Sequence, residues 1–233
     1  MEVLVLGDGL LGSEIVRQTG WDFISRKKNG INFNNLDTYF KYTYGYDTII
    51  NCIAYTEVNS NEKKEHILTN FKSVVTLANY CNQVDKKLVH ISTDYVYSNS
   101  KPDASEEDIP SNCTNWYTYS KILSDGYIEA FSQKYLLIRT SFKPRPYPYP
   151  KATIQVGNFG YVDEIASLII KLVRGNVNGV FNVGLEKSTM FDFASRTREV
   201  TMHEKNPVES MPVDISMNIT KMKEFLKNID END

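Results

Sequence analysis

Short apolar runs rich in β-branched residues recur along the first 140 positions, separated by stretches whose apolar residues return every three or four places. The runs are Glu2–Leu6, Trp21–Ser25, Asp47–Cys52, Lys87–Ile91 and Tyr135–Thr140. Such runs, apolar throughout rather than alternating, suit strands covered on both faces of a parallel sheet. The stretches between them predict helices: one continuing through Ser13–Arg17, a short one over Leu36–Tyr44, a long one over Asn61–Asn82 and one from Asn115 to Gln133. In the long helix Ile67, Leu68, Phe71, Val74, Val75, Leu77 and Ala78 form the apolar face. Strand and helix alternating in this way specify a doubly wound α/β fold.

After Ser141 the texture changes. Lys143–Lys151 reads Lys-Pro-Arg-Pro-Tyr-Pro-Tyr-Pro-Lys. Proline at alternate positions removes the backbone donors that a helix or central strand needs. The expectation is a stiff, extended surface connection of polyproline II type. A short strand at Thr153–Val156, a helix from Tyr161 through Val173, a strand at Val180–Val183 and helices over Phe191–Val200 and Ile219–Leu226 follow. Ser98–Thr114, with its two prolines and the acidic run Glu106-Glu107-Asp108, reads as a loop over the site.

Composition narrows the function classes. With 233 residues, 41% hydrophobic and 24% charged, the chain can bury a substantial core. A net charge of −3 argues against an electrostatic nucleic-acid binder. Three scattered cysteines without a Cys-x-x-Cys fit a reducing compartment, and three widely separated histidines suggest no metal site. The chain opens directly on Glu2 and an apolar strand, and no apolar run approaches the roughly 20 residues of a membrane span. A cytoplasmic enzyme without membrane contact is the expectation.

Two stretches carry the candidate chemistry. The first strand ends in Gly7-Asp8-Gly9-Leu10-Leu11-Gly12, and helical spacing follows. In that context the first glycine turns the chain, the second lets backbone approach a pyrophosphate, and the third lets helix and strand pack closely. The helix N-terminus then faces phosphate charge. The second strand ends in Ser25-Arg26-Lys27-Lys28, where NAD-preferring sites carry an acidic residue; a guanidinium there suits the 2′-phosphate of NADP. NADPH is therefore favoured over NADH. The second stretch is Asn115-Trp116-Tyr117-Thr118-Tyr119-Ser120-Lys121, at the start of a helix. It sets a phenol and an ammonium one helical turn apart, and a nearby cation stabilises a phenolate. Ser92, Thr93 and Asp94 place polar groups at the carboxyl end of a strand, where open α/β sheets bind ligands.

Taken together, Val89-His90-Ile91-Ser92-Thr93-Asp94-Tyr95-Val96-Tyr97, Tyr117-Thr118-Tyr119-Ser120-Lys121, Asn51–Val58 and Arg139–Phe142 resemble the extended short-chain dehydrogenase/reductases. Among these they look most like the dTDP-4-dehydrorhamnose reductases. The resemblance implies a Rossmann-type NADP(H)-binding domain over residues 1–141, with the catalytic residues. Residues 142–233 would form a small, shortened substrate-binding part, interleaved with the last strand and helices of the first domain. It further implies NADPH-dependent reduction of a 4-keto-6-deoxy nucleotide-sugar. Tyr117 would be the proton donor, Lys121 would lower its pKa and hold the nicotinamide ribose, and Thr93 would bond the keto oxygen. Gly7, Gly9, Leu10, Leu11, Gly12, Ser25, Arg26, Ala54, Tyr55 and Thr140 would line the cofactor, and Asp94, Tyr95 and Tyr97 the sugar. A homodimer is common among such relatives.

Three features depart from that pattern. The glycine loop is one residue shorter, Thr118 stands where glycine is common, and the usual substrate-domain segment after Arg139-Thr140-Ser141 is cut down to the proline-rich stretch. Two other functions are compatible with the motifs: a nucleotide-sugar epimerase or epimerase/reductase, and a non-catalytic NADP-binding regulatory subunit, as the β subunit of methionine adenosyltransferase resembles this family.

Overall fold

The computed structural model describes residues 1–33, 35–98, 100–110, 113, 115–203 and 211–231. Its centre is a sheet of six strands, β1 (Val3–Leu6), β2 (Asp22–Ile24), β3 (Thr48–Asn51), β4 (Lys87–Ile91), β5 (Tyr135–Thr140) and β6 (Gly179–Val183). All pairings are parallel, in the order β2-β1-β3-β4-β5-β6. The order reverses direction between β1 and β3, which makes the crevice outside their carboxyl ends the expected ligand position.

Helices cover both faces: α1 (Leu10–Thr19), α2 (Leu36–Tyr42), α3 (Ser73–Gln83), α4 (Trp116–Phe131) and α5 (Val162–Arg174), with α6 (Met190–Ser195) and α7 (Thr220–Asp230) nearer the C-terminus. Alternate strand residues feed two cores. Val3, Val5, Ile50, Val89, Leu136 and Ile138 pack with Leu11 and Ile15 of α1 and Ile165 and Ile169 of α5. Leu4, Leu6, Ile49, Leu88 and Leu137 pack with Val74 and Leu77 of α3 and Ile128 of α4. With both faces covered, no polar alternation survives in the strands, as the sequence implies. The ends of α5 follow from composition: Asp163 and Glu164 lie in its first turn, and the Glu164 carboxylate accepts from the Tyr161 N–H at 2.9 Å.

The long central helix differs from the expectation of one regular element. Lys63–His66 and α3 are joined by a π-helical turn over Ile67–Lys72. This places Asn70 in the interior, fully buried. Such turns cluster at functional sites.

The C-terminal third departs further. The proline-rich stretch is not a plain surface connector. Phe142–Lys143 pairs with Gly160–Tyr161, and Tyr147 is 5% exposed. Tyr147 joins Phe159, Tyr161, Met190, Phe193 and Ile215 in a third, separate core. An aromatic ring between prolines has enough apolar area to anchor a segment that cannot form regular structure. Arg145 on the same stretch pairs with Asp163 at 2.9 Å. The expected strand at Thr153–Val156 is replaced by two shorter ones, Lys151–Ala152 beside Thr201–Met202 and Val156–Gly157 beside Ser188–Thr189. The helix expected over Phe191–Val200 stops at Ser195.

The loop expected over the site, Ser98–Thr114, is described except at positions 99, 111, 112 and 114. Its middle is pinned to the C-terminal segment. Ala104 N–H donates to the Ser216 carbonyl at 3.0 Å, and Asn218 N–H donates to the Ala104 carbonyl at 2.8 Å. Glu106 accepts from the Asn182 N–H on β6 at 2.9 Å.

Candidate active site

The glycine loop joins β1 to α1, and its three glycines differ in what surrounds them. Gly7 has φ +100°, a left-handed conformation that L side chains rarely adopt. A Cβ on Gly12 would lie 2.2 Å from the Gly7 carbonyl oxygen, so the close approach of α1 to β1 depends on its absence. A Cβ on Gly9 would meet nothing within 4 Å. Its bareness serves no internal packing, and it faces open space at the N-terminus of α1. That is the requirement for backbone approaching a pyrophosphate.

This space is a cleft of about 850 Å³ lined by Gly7, Gly9, Ser25, Arg26, Ala54 and Tyr55, among others. Ser25 caps a one-turn helix by accepting from the Lys28 N–H at 3.0 Å, and its hydroxyl donates to Asp8 Oδ2 at 2.9 Å. Arg26 and Lys27 are exposed beside it. Leu10 is 45% exposed, whereas the Leu11 side chain lies in the core, so only its backbone faces the loop. A dinucleotide fits these features: a bare glycine, free helix amides and cations where a 2′-phosphate would lie.

The Tyr55 backbone is held on the far wall by Asn70. The Tyr55 N–H donates to Asn70 Oδ1 at 2.8 Å, and Asn70 Nδ2 donates to the Tyr55 carbonyl and to Ser120 Oγ, both at 3.0 Å. One side chain thus ties the segment after β3 to α4. The rings of Tyr55 and His66 stand 4.7 Å apart, and those of His66 and Tyr117 6.4 Å apart, leading from the cleft to the second group of residues.

Tyr117 lies in the first turn of α4, whose N-cap Asn115 accepts from the Thr118 N–H at 2.8 Å. Thr93 caps a short turn of 3₁₀ helix, Asp94–Tyr97, just beyond β4. The Thr93 hydroxyl donates to Asp94 Oδ1 at 3.2 Å and accepts from the Tyr95 N–H at 3.2 Å, and it lies close enough to the Tyr117 phenol to favour the phenolate. Burial pushes the phenol's pKa above its ordinary value, and the Asp94 carboxylate adds to this, while Thr93 opposes it. Tyr117 is therefore held protonated, as an acid must be before it acts.

Lys121 is almost fully buried, and burial lowers its pKa to about 8, against the pull of Asp125. Its hydrogen bonds run to β4 rather than to Tyr117. Its Nζ donates to the Ile91 carbonyl at 2.7 Å and lies 3.1 Å from His90 Nε2. Asp94 is buried and raised to about 7, mainly by burial; Lys143 opposes this from the start of the proline-rich stretch. Tyr95 is half-buried against the third core.

Two predicted positions are not presented to a ligand. Tyr97 is 1% exposed in the core, and its hydroxyl accepts from Arg139 Nη1 at 2.8 Å. The same hydroxyl lies 3.0 Å from the Ser105 carbonyl and 2.9 Å from Asn182 Oδ1. The 3₁₀ turn points it inward, so it braces the fold rather than contacting a sugar. Thr140 is 2% exposed at the end of β5. Conversely, Asn51, His66, Asn70 and His90 escape a reading by motif. Their one signal is a buried polar residue within or beside apolar runs. Among the described residues, no group of three His, Cys, Asp or Glu side chains could hold a metal, and no helix is long and apolar enough to cross a membrane.

A parallel sheet whose glycine turn and polar strand ends open on one crevice is a Rossmann-type fold. The chain belongs to the family described as RmlD substrate binding domain, whose model matches residues 1–143. The match ends where the proline-rich stretch begins. The spore coat polysaccharide biosynthesis protein SpsK of Bacillus subtilis is 30% identical over 60% of this chain and 53% of its own length. The dTDP-4-dehydrorhamnose reductase of Mycolicibacterium smegmatis is 26% identical over 60% of this chain and 45% of its own. The chain thus spans about half the length of these curated relatives. A hypothetical dTDP-4-dehydrorhamnose reductase from Sulfolobus tokodaii shares the fold with TM-score 0.80 at 23% identity, covering 96% of this chain and 94% of that one. The Bacillus anthracis dTDP-4-dehydrorhamnose reductase, crystallised with NADP, gives TM-score 0.81 at 21% identity, covering 95% and 90%.

Proposed function

We propose that this protein is an NADPH-dependent reductase of a 4-keto-6-deoxy nucleotide-sugar, of the dTDP-4-dehydrorhamnose reductase type. The observation that carries the reading is Thr93 set beside the Tyr117 phenol, with a buried lysine one helical turn on, at the sheet edge that also holds the glycine-loop cleft. The curated and structural relatives named for this reaction support it. Gly7, Gly9, Gly12, Ser25 and Arg26 would hold NADPH, which supplies the hydride when bound. Tyr117 gives its phenolic proton to the keto oxygen, so the carbonyl becomes a hydroxyl and Tyr117 a phenolate. Thr93 orients that oxygen. Positive charge on Lys121 steadies the phenolate until it is reprotonated from solvent.

The test is NADPH oxidation in the presence of a 4-keto-6-deoxy nucleotide-sugar. Turnover is expected, and Tyr117→Phe should lower it by roughly 10²- to 10⁴-fold. Full activity in that variant refutes Tyr117 as the acid. Tight NADPH binding without turnover of any such sugar instead supports a non-catalytic regulatory subunit, a reading favoured by the shortened segment after Ser141.

A further inference from the structure

At their carboxyl ends, strands β3 and β4 carry a buried polar pair beside apolar neighbours. Asn51 and His90 are register partners, 3% and 0% exposed. They lie on the same face as Ile49 and Leu88, the face that α4 covers. Two contacts fix how they bond. The Ile53 N–H donates to Asn51 Oδ1 at 3.1 Å, which determines the orientation of the amide. Asn51 Nδ2, a donor only, then faces His90 Nδ1 at 3.1 Å. That nitrogen must accept, so the imidazole is neutral with its proton on Nε2. His90 Nε2 in turn faces Lys121 Nζ at 3.1 Å. An N–H pointing at a lysine nitrogen is a hydrogen bond only if that nitrogen has a lone pair to offer. A charged Lys121 suits the opposite tautomer, which would set two donors against each other at Asn51.

We infer that Asn51 and His90 are positioning residues whose fixed tautomer sets the pH at which Lys121 takes up its proton. The inference rests on the reductase reading for its purpose, because Lys121 is the cation that reading needs. The surroundings agree. Burial and the Lys121 charge hold His90 well below the ordinary histidine pKa. Lys121 itself is faced by Asp125 from α4 and Cys52 from the segment after β3, which favour its charge, and by His90 from β4, which is buried neutral. Tyr117, one turn back on α4, stays protonated while Lys121 is uncharged. The strand end that carries Ile53 lines the cofactor cleft. The amide that governs the lysine is therefore anchored to the cleft wall.

The test needs neither cofactor nor substrate, so it is independent of turnover. Long-range ¹H–¹⁵N NMR of the full chain labelled in histidine reads the tautomer directly. His90 protonated on Nε2 alone above about pH 8, where Lys121 is uncharged, is expected. Protonation on Nδ1, or an imidazolium, overturns the inference even if NADPH turnover is found. The second arm follows the Lys121 Cε signal, assigned by its loss in Lys121→Arg. Asn51→Asp puts an acceptor against Nδ1, reverses the ring and should raise the Lys121 midpoint by about one pH unit or more. The same change in a His90→Gln background retains the added charge without the ring and should shift Lys121 less. Equal shifts in both backgrounds refute the relay.

Discussion

Gly9 and Gly12 sit three residues apart in one loop, yet their substitution by alanine should have opposite consequences. In Gly12→Ala the new Cβ would lie 2.2 Å from the Gly7 carbonyl oxygen and 3.1 Å from its carbon, both backbone atoms. Neither can swing aside, so α1 must move off β1, and overpacking of this kind costs about 1–3 kcal/mol or more. In Gly9→Ala nothing lies within 4 Å, and φ −69° is open to alanine. The unfolded chain loses entropy, worth about 0.4–1 kcal/mol in favour of folding. Alanine is a poorer N-cap than glycine, at a comparable cost. The two offset, leaving stability within about 0.5 kcal/mol of the parent. The methyl would project into the space assigned to pyrophosphate and should weaken NADPH at least tenfold, or about 1.4 kcal/mol. Urea unfolding and NADPH fluorescence titration on both variants read the two quantities separately. A Gly9→Ala protein that binds NADPH normally refutes the cleft assignment, and one as unstable as Gly12→Ala refutes the geometric argument.

Arg26→Ala should weaken NADPH about tenfold or more while leaving NADH unchanged; equal loss for both would show that Arg26 does not meet a 2′-phosphate. Asp94, raised from 3.8 to about 7, binds its proton more tightly folded than unfolded. Its contribution is thus full below pH 3.8 and lost as pH rises through 7, with an upper bound of about 4 kcal/mol. Asp94→Asn should flatten the decline in unfolding free energy from pH 5 to 8, and parallel wild-type and variant curves would refute this. Asp125→Asn leaves the buried Arg139 with Glu129, 2.8 Å away, as its remaining anionic partner, and should cost about 3 kcal/mol in chemical denaturation. Arg139→Met combined with Asp125→Leu should recover much of that loss, and a double variant less stable than Asp125→Asn would count against the account.

The β1–α1 unit and the sheet strands were legible because their signals are local: an apolar run, a glycine turn, a helical repeat. Thr93 and Tyr117 were legible as residues, and they come together because the turn after β4 and the first turn of α4 open on the same edge of the sheet. The Asn51–His90–Lys121 chain was not, because it depends on which strands are adjacent and in what register. That is a property of topology and not of any window of sequence. Tyr97 misled for a related reason: its motif lies at the ligand edge, but the turn capped by Thr93 rotates it into the core. In the C-terminal third the helix after Tyr161, the strand at Val180–Val183 and the helix after Ile219 stand as expected, and what was missed was missed on length. Strands of two residues have no period to detect, and Tyr147 buried between prolines gives no sign of its partners.

The π-helical turn at Ile67–Lys72 has a consequence for kinship. Each residue of a regular helix advances about 100° around the axis, so one extra residue shifts everything beyond it by that angle. The turn absorbs such a shift, leaving the apolar face of α3 aligned with the sheet while Asn70 points to Tyr55 and Ser120. The segment therefore holds two phases in one rod. A relative lacking one residue here could keep the same core and lose the tether. Aligned without a gap at this point, it would seem to conserve an asparagine that no longer reaches the cleft.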